Sequence, residues 1–345
     1  MTKDVGQSPS RWHHWVPRAY LRRWSLDRKR VCTYETLVPH EKYPIWEMRP
    51  IRSVAAADHL YTTTRDGSEP DAFERYLKDE IEDPALDALA RAESGGVLSQ
   101  KDHHRITYFA MALDQRTPSA FADHAERWNK QLPQMMRDVL QGAKKKLERA
   151  ARRGVRIEQF PVAGPLPPIQ VNVRVPGNGG DARLETSVVS GRELWLWAIQ
   201  NALEVTAPKL IASGGLTWSI IAPPSSTEWF TSDHPLLRMN YHAWNNVSFG
   251  GGWGFKGSEI MLPLSPHALL YSKVAYTYPP HLAFDRGQCL TVQSILARRA
   301  YRAIFATSPM PRVESMRRRV VDCEVYEDQK RQLERWHEAN LEQHK

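Results

Sequence analysis

The chain has 345 residues, 41% of them hydrophobic, enough to bury a sizeable core and to exclude disorder as the default. Three cysteines (Cys32, Cys289, Cys323) without C-x-x-C spacing argue against a disulfide framework or a cysteine-built zinc site, and no stretch approaches the roughly 20 apolar residues of a membrane span. The formal net charge of +8 is uneven: residues 1–30 and 137–156 each hold eight Lys/Arg against two acids, which leaves about −4 for the remainder. These features fit a cytoplasmic protein with no membrane partner and make nucleic acid or a nucleotide a candidate partner, since phosphates release condensed counterions to clustered cations. Taken singly, each basic run is also what the solvated face of a helix looks like.

In chain order, Pro17 suits the first turn of a helix whose apolar face is Tyr20, Leu21 and Trp24. "VCTYET" alternates like a strand, and Pro39, Pro44 and Pro50 break the next stretch into turns or edge pieces. Phe73, Tyr76, Leu77 and Ile81 form a helical stripe interrupted at Pro84 and resumed at Leu86 and Leu89, with a stop at Ser94–Gly96. Ile106, Phe109, Ala110 and Leu113 mark the next helix, ended by "QRTP", and a longer one runs from about Ser119 to Arg153. Residues 154–190 turn rich in Pro and Gly around "IQVNVRV", which predicts an inserted hairpin or linker. A tryptophan-rich helix comes next ("ELWLWAIQNALEV"), then strand-like runs "GLTWSIIA", "EWFTS", "EIMLPLS" and "ALLYSKVAY", a helix over Gln288–Ala300, and a helical tail over 321–345. The pattern predicts one large α+β domain over 1–345, a helical layer or bundle packed on a small, mostly antiparallel sheet.

Two doubled histidines, His13-His14 and His103-His104, invite a metal reading, but neighbours in a helix or strand point apart, so at most one of each pair serves a site. His14 is the stronger candidate, because Trp15, Val16 and Pro17 hold the chain beside it. "EWFTSDHP" ends an apolar strand in a polar turn, where Asp233 is a candidate metal ligand or general base and equally a candidate Asx-turn acceptor. Ser232 is a candidate nucleophile, though no G-x-S-x-G elbow surrounds it. "SFGGGWGFKGS" lacks the G-K-[ST] ending of a phosphate loop and reads as a flexible connection. Glu74 and Glu82 lie about two turns apart on one helix and gain interest if that side faces His14 or Asp233.

"HWVPRAYLRRWS" (14–25), "IEDPALDAL", "ALDQRTP", "FTSDHP" and "MLPLSP" (261–266) occur in the order seen in the uncharacterised bacterial family called domain of unknown function 4238, which the chain resembles from about His14 to Ala306. His14, Asp233 and Pro235 match its H-Y-V-P and T-S-D-N-P signatures. Trp15 replaces the usual tyrosine, His234 the commoner asparagine, and Gln293 stands where an asparagine is expected. The resemblance implies an architecture without an established activity, and it suggests that the two motifs meet in space.

The resulting expectation is a metal-assisted hydrolase of nucleic-acid or nucleotide phosphodiesters. His14, Asp233 and Glu74 would hold a divalent metal or act as base, and Arg116 would oppose charge on phosphate. Arg18, Arg22, Arg23, Lys144, Lys145 and Lys146 would attract the nucleic acid. The alternative is a non-catalytic nucleic-acid or protein-binding module in which His14 and Asp233 bond to each other and staple the N-terminal helix to the sheet. A serine-type hydrolase acting through Ser232 is the third class.

Overall fold

Val31, Cys32 and Tyr34 bring β-branched and small or aromatic side chains to a pleat covered on both faces, and in the computed structural model Arg30–Glu35 is a strand buried over most of its length. The structure describes residues 12–63, 69, 71–154, 169–174, 183–188, 191–214, 216–225, 227–243, 246–336 and 338. Arg30–Glu35 belongs to a four-stranded antiparallel sheet whose order in space is Glu47–Pro50, Arg30–Glu35, Ala303–Ala306, Thr231–Ser232. A six-stranded sheet runs Asn246–Ser248, Leu237–Ala243, Glu259–Ser265, Ala268–Lys273, Ser219–Ala222, His281–Ala283, antiparallel at every step except the last. The fold is α+β, with its strands divided between two main sheets where the sequence pattern suggested one. Residues 233–236 carry the chain from the first sheet to the second, so the T-S-D-H-P motif sits at their junction.

The helices track the apolar stripes. Ala72–Tyr76 and Asp83–Glu93 are joined by a π-helical stretch, Leu77–Glu82, and Pro84 falls in the first turn of the later segment. Pro84 therefore does not stop the helix: its missing N–H falls where the wider turn already breaks the regular ladder. Gln100–Gln115 begins with a capping box between Ser99 and Asp102, and Pro118–Arg152 is capped by Thr117. The tryptophan-rich run continues as Gly191–Asn201, Ala202–Thr206 and Ala207–Ala212, then Arg286–Arg299 and the tail helix Cys323–Glu334. Within the Pro/Gly-rich 154–190 segment, Ile169–Arg174 pairs antiparallel with Arg183–Val188; most of the rest lies outside the described residues. Among the described residues no helix is long and apolar enough to cross a membrane.

The segment "SFGGGWGFKGS" is a clamped connection. Trp253 is buried with its indole N–H on Asp114 Oδ2 at 2.8 Å, and a Cβ on Gly251 would meet the Met239 backbone at 2.8 Å. Only glycine fits there.

The N-terminal motif is anchored on the sheet junction. The helix Arg18–Leu21 and the 3-10 turn Arg22–Trp24 bury Tyr20, Leu21 and Trp24 in the main core, worth about 1.5–3 kcal/mol for each side chain. Trp15 Nε1 donates to the Asp233 carbonyl at 3.1 Å, Tyr20 OH pairs with Thr231 Oγ1 at 2.7 Å, and Tyr20 OH also donates to the Pro263 carbonyl. Three motifs far apart in sequence thus share one buried hydrogen-bonded hub. The expected staple, a bond between His14 and Asp233, is not what joins them: Trp15 and Tyr20 tie the N-terminal segment to the sheet junction. Tyr20→Phe keeps the ring but takes a donor from the Pro263 carbonyl and an acceptor from the buried Thr231 hydroxyl, so it should lower unfolding free energy by about 1–3 kcal/mol in a denaturant titration.

Candidate active site

Trp12–His14 is a short strand paired antiparallel with Ala56–Asp58. Its period of two sends His13 to one face and Trp12 and His14 to the other. His13 is wholly buried, stacks on Tyr61, and accepts the Tyr61 N–H on Nδ1 at 3.0 Å, which makes it structural. His14 faces a cleft of about 800 Å³, lined also by Glu74, Lys78, Glu82, Arg18, Arg22 and Arg52. Glu74, Lys78 and Glu82, four residues apart in turn, line the cleft from one side of this helical run. The acidic helix therefore does face His14.

Arg116 forms the wall that joins these elements. It is 1% exposed; Nε donates to the Trp15 carbonyl at 2.8 Å, Nη2 to the His14 carbonyl at 3.1 Å, and Nη1 to Glu82 Oε1 at 2.5 Å. Tyr61 OH donates to the Arg116 carbonyl at 2.8 Å. With its guanidinium committed in three directions, Arg116 positions the His14 strand and does not serve as the phosphate clamp expected of it.

Two side-chain atoms in this cleft stand out. Among the described residues, His14 Nε2 and Glu74 Oε2 are buried without a hydrogen-bond partner. Other buried side-chain atoms, among them Trp24 Nε1, Trp229 Nε1 and Ser272 Oγ, also lack a partner, but His14 and Glu74 are the two such residues that line this cleft, where a catalytic role is one explanation. Burial, then the positive charge of Arg18, drives the His14 pKa down to about 4, with Arg116 acting the same way and the Ile51 and Arg52 carbonyls opposing. Burial likewise drives Glu74 up to about 7, with Glu82 and Asp71 reinforcing the shift and Arg116 opposing it. Near neutrality the cleft thus holds an uncharged imidazole and a carboxyl that keeps part of its proton.

The other candidates have different employment. Asp233 is 2% exposed, and its Oδ1 and Oδ2 accept the N–H groups of Tyr301 at 2.9 Å and Arg302 at 2.7 Å. The expectation that it joins His14 and Glu74 as a metal ligand or base is corrected: its carboxylate ties down the loop before the Ala303–Ala306 strand. Among the described residues no group of three His, Cys, Asp or Glu is placed to hold a metal ion. Ser232 Oγ is closed into its own turn, donating to the His234 carbonyl at 2.9 Å and accepting the His234 N–H at 3.1 Å, so the nucleophile reading is corrected too. His234 Nδ1 pairs with Ser119 Oγ at 2.6 Å, and Gln293 Nε2 donates to the Glu228 carbonyl at 2.5 Å; both residues are buried fasteners.

The basic candidates also separate. Arg18 and Arg22, one helical turn apart, are exposed and line the cleft together with Arg52. The same three arginines line an adjoining cavity of about 710 Å³ with Arg28, Lys29 and Arg30. There Asp27 is occupied in accepting the backbone N–H groups of Lys29 and Arg30. Arg23 instead is ion-paired with Glu93. Lys144, Lys145 and Lys146 are exposed on the long helix, about 40 Å along its axis from Thr117, outside the cleft. Arg52, Lys78 and Trp12 escaped the sequence reading, because nothing in their local pattern distinguishes them from surface residues.

Asp233→Ala strands two backbone N–H groups and should cost about 2–5 kcal/mol of stability, while His14→Ala, which leaves no backbone N–H of the sheet junction unpaired, should cost less; urea unfolding of both separates the roles. Glu74 has a second signature. Its folded-state pKa of about 7 lies above the ordinary 4.5, so the folded state retains a proton that the unfolded state loses, and stability falls as pH rises between those values. Glu74→Gln should match wild type below about pH 4.5 and exceed it by about 1–3 kcal/mol above about pH 7, read by denaturant titration.

No curated protein and no solved structure matches the chain. A family model described as "Protein of unknown function (DUF4238)" matches residues 12–309, the span that holds the sheet junction, Arg116 and the cleft, and the chain belongs to that family.

Proposed function

We propose that the protein hydrolyses phosphodiester bonds of nucleic acid in the His14–Glu74 cleft. The observation that carries this reading is the pair of unpartnered buried atoms, His14 Nε2 and Glu74 Oε2, in one cleft lined by Arg18, Arg22 and Arg52, which also line a second basic cavity. The arginines supply an electrostatic track for phosphates. His14, uncharged at neutral pH, is suited to general base, and Glu74, partly protonated there, to general acid.

In the step, His14 Nε2 takes a proton from water as the water oxygen bonds to phosphorus. The bond from phosphorus to the leaving oxygen breaks, and that oxygen takes the proton from Glu74. Proton exchange with solvent restores both groups, and the cleft's guanidinium groups oppose the charge on the phosphoryl oxygens. The second reading, a nucleic-acid-binding module without catalysis, draws support from the structural engagement of Asp233 and Ser232 but leaves both orphaned atoms without a role.

End-labelled RNA and DNA, incubated with purified protein with and without EDTA or added divalent cations, should be cut by wild type. His14→Ala and Glu74→Gln should each lower the rate by about 100-fold or more while remaining folded. The rate should rise as pH passes about 4, where His14 loses its proton, and fall above about 7, where Glu74 does. Binding without cleavage under every condition would establish the module reading in its place.

A further inference from the structure

Among the described tryptophans Trp12 alone is exposed, at 48%, whereas Trp15, Trp24, Trp195, Trp218 and Trp229 are nearly completely buried. A lone exposed apolar side chain needs no explanation in general. Three features set this one apart. Trp12 lines the same cleft as His14 and Glu74. Its indole N–H donates to the Arg52 carbonyl at 2.9 Å, which limits how the ring can turn and leaves an aromatic face at the mouth of the cleft beside a basic residue. Finally, Trp12 and His14 are two residues apart on one strand, so their side chains emerge on the same face about 7 Å from each other. That is roughly the separation between a nucleobase and the phosphate attached to its own sugar.

We infer that Trp12 is a stacking platform for an unpaired base, so that the cleft takes single-stranded rather than double-stranded nucleic acid. This rests on the phosphodiester reading above, and it adds the class of substrate. A base stacked in a duplex has both faces covered and its partner opposite, so it cannot lie on Trp12 while its phosphate reaches His14. In a single strand the base is free to swing onto the indole while Arg18, Arg22 and Arg52 track the backbone. Stacking of this kind tolerates any base, because every base has a π-face, and it predicts little sequence preference.

The test uses fluorescence anisotropy with short labelled single-stranded RNA and DNA, the matching duplex, and inorganic polyphosphate as a competitor that has charge but no base. Wild type should bind the single strands more tightly than the duplex. Trp12→Ala should weaken single-strand binding by about 5- to 100-fold, Trp12→Phe by much less, and neither should alter competition by polyphosphate. The double variant Arg18→Ala/Arg22→Ala should weaken oligonucleotides and polyphosphate alike. If Trp12→Ala binds single strands as wild type does, or weakens duplex and polyphosphate equally, the stacking role is overturned and the basic cleft stands. If wild type binds neither polyphosphate nor any oligonucleotide, the cleft reading falls and the stacking role with it.

Discussion

The buried guanidinium of Arg116 is the constraint on which the cleft depends. Taking an arginine out of water costs several kcal/mol unless its donors find good acceptors, and Arg116 finds them in Glu82 and in two successive carbonyls, those of His14 and Trp15. Those acceptors belong to different parts of the chain. One is on the acidic helix, the others are at the end of the N-terminal strand and just beyond it, and Arg116 itself caps the helix Gln100–Gln115. Satisfying one buried cation therefore brings three elements to fixed positions. A carbonyl of the catalytic candidate, rather than its imidazole, is what the arginine holds, and Nε2 of the ring is left for other chemistry.

The same charge tunes that chemistry. Arg116 lies near both His14 and Glu74, and its field lowers the pKa of each. Desolvation acts in opposite senses on the two, since it disfavours imidazolium and carboxylate alike. For His14 field and burial add, and the ring is uncharged over the whole neutral range. For Glu74 burial exceeds the field of Arg116, helped by the neighbouring carboxylates of Glu82 and Asp71. Near neutral pH the cleft thus holds an uncharged imidazole together with a partly protonated carboxyl, the charge states that the proposed acid–base step would use.

Asp233 illustrates why a polar cluster in sequence is a poor guide to chemistry. Ser232, Asp233 and His234 stand at the point where the chain leaves one sheet for another, and such a crossing strands backbone groups that need partners. Asp233 satisfies two N–H groups of the loop after the Arg286–Arg299 helix, Ser232 closes its own turn, and His234 ties the turn to Ser119 at the start of the long helix. The motif joins the two sheets, and through Trp15 and Tyr20 it anchors the segment that follows His14.

Much of the molecule was legible in the sequence. The α+β class, the helix stripes and the burial of Tyr20, Leu21 and Trp24 come from periodicity and from residue types whose placement is governed by their neighbours along the chain, and the meeting of the two motifs was implied by the family resemblance. What could not be read there was which polar atoms the backbone would claim. Asp233 and Glu74 are both acids beside apolar residues, yet one is consumed by two N–H groups from a segment about seventy residues away and the other keeps an unpartnered oxygen. Arg116 and Arg18 look alike in sequence and both line the cleft, yet one is buried with its guanidinium fully engaged and the other is exposed to solvent. Hydrogen bonds of this kind are made between segments that only the packed core brings together. The local pattern therefore determined which residues were able to act, and the tertiary structure decided which remained free to do so.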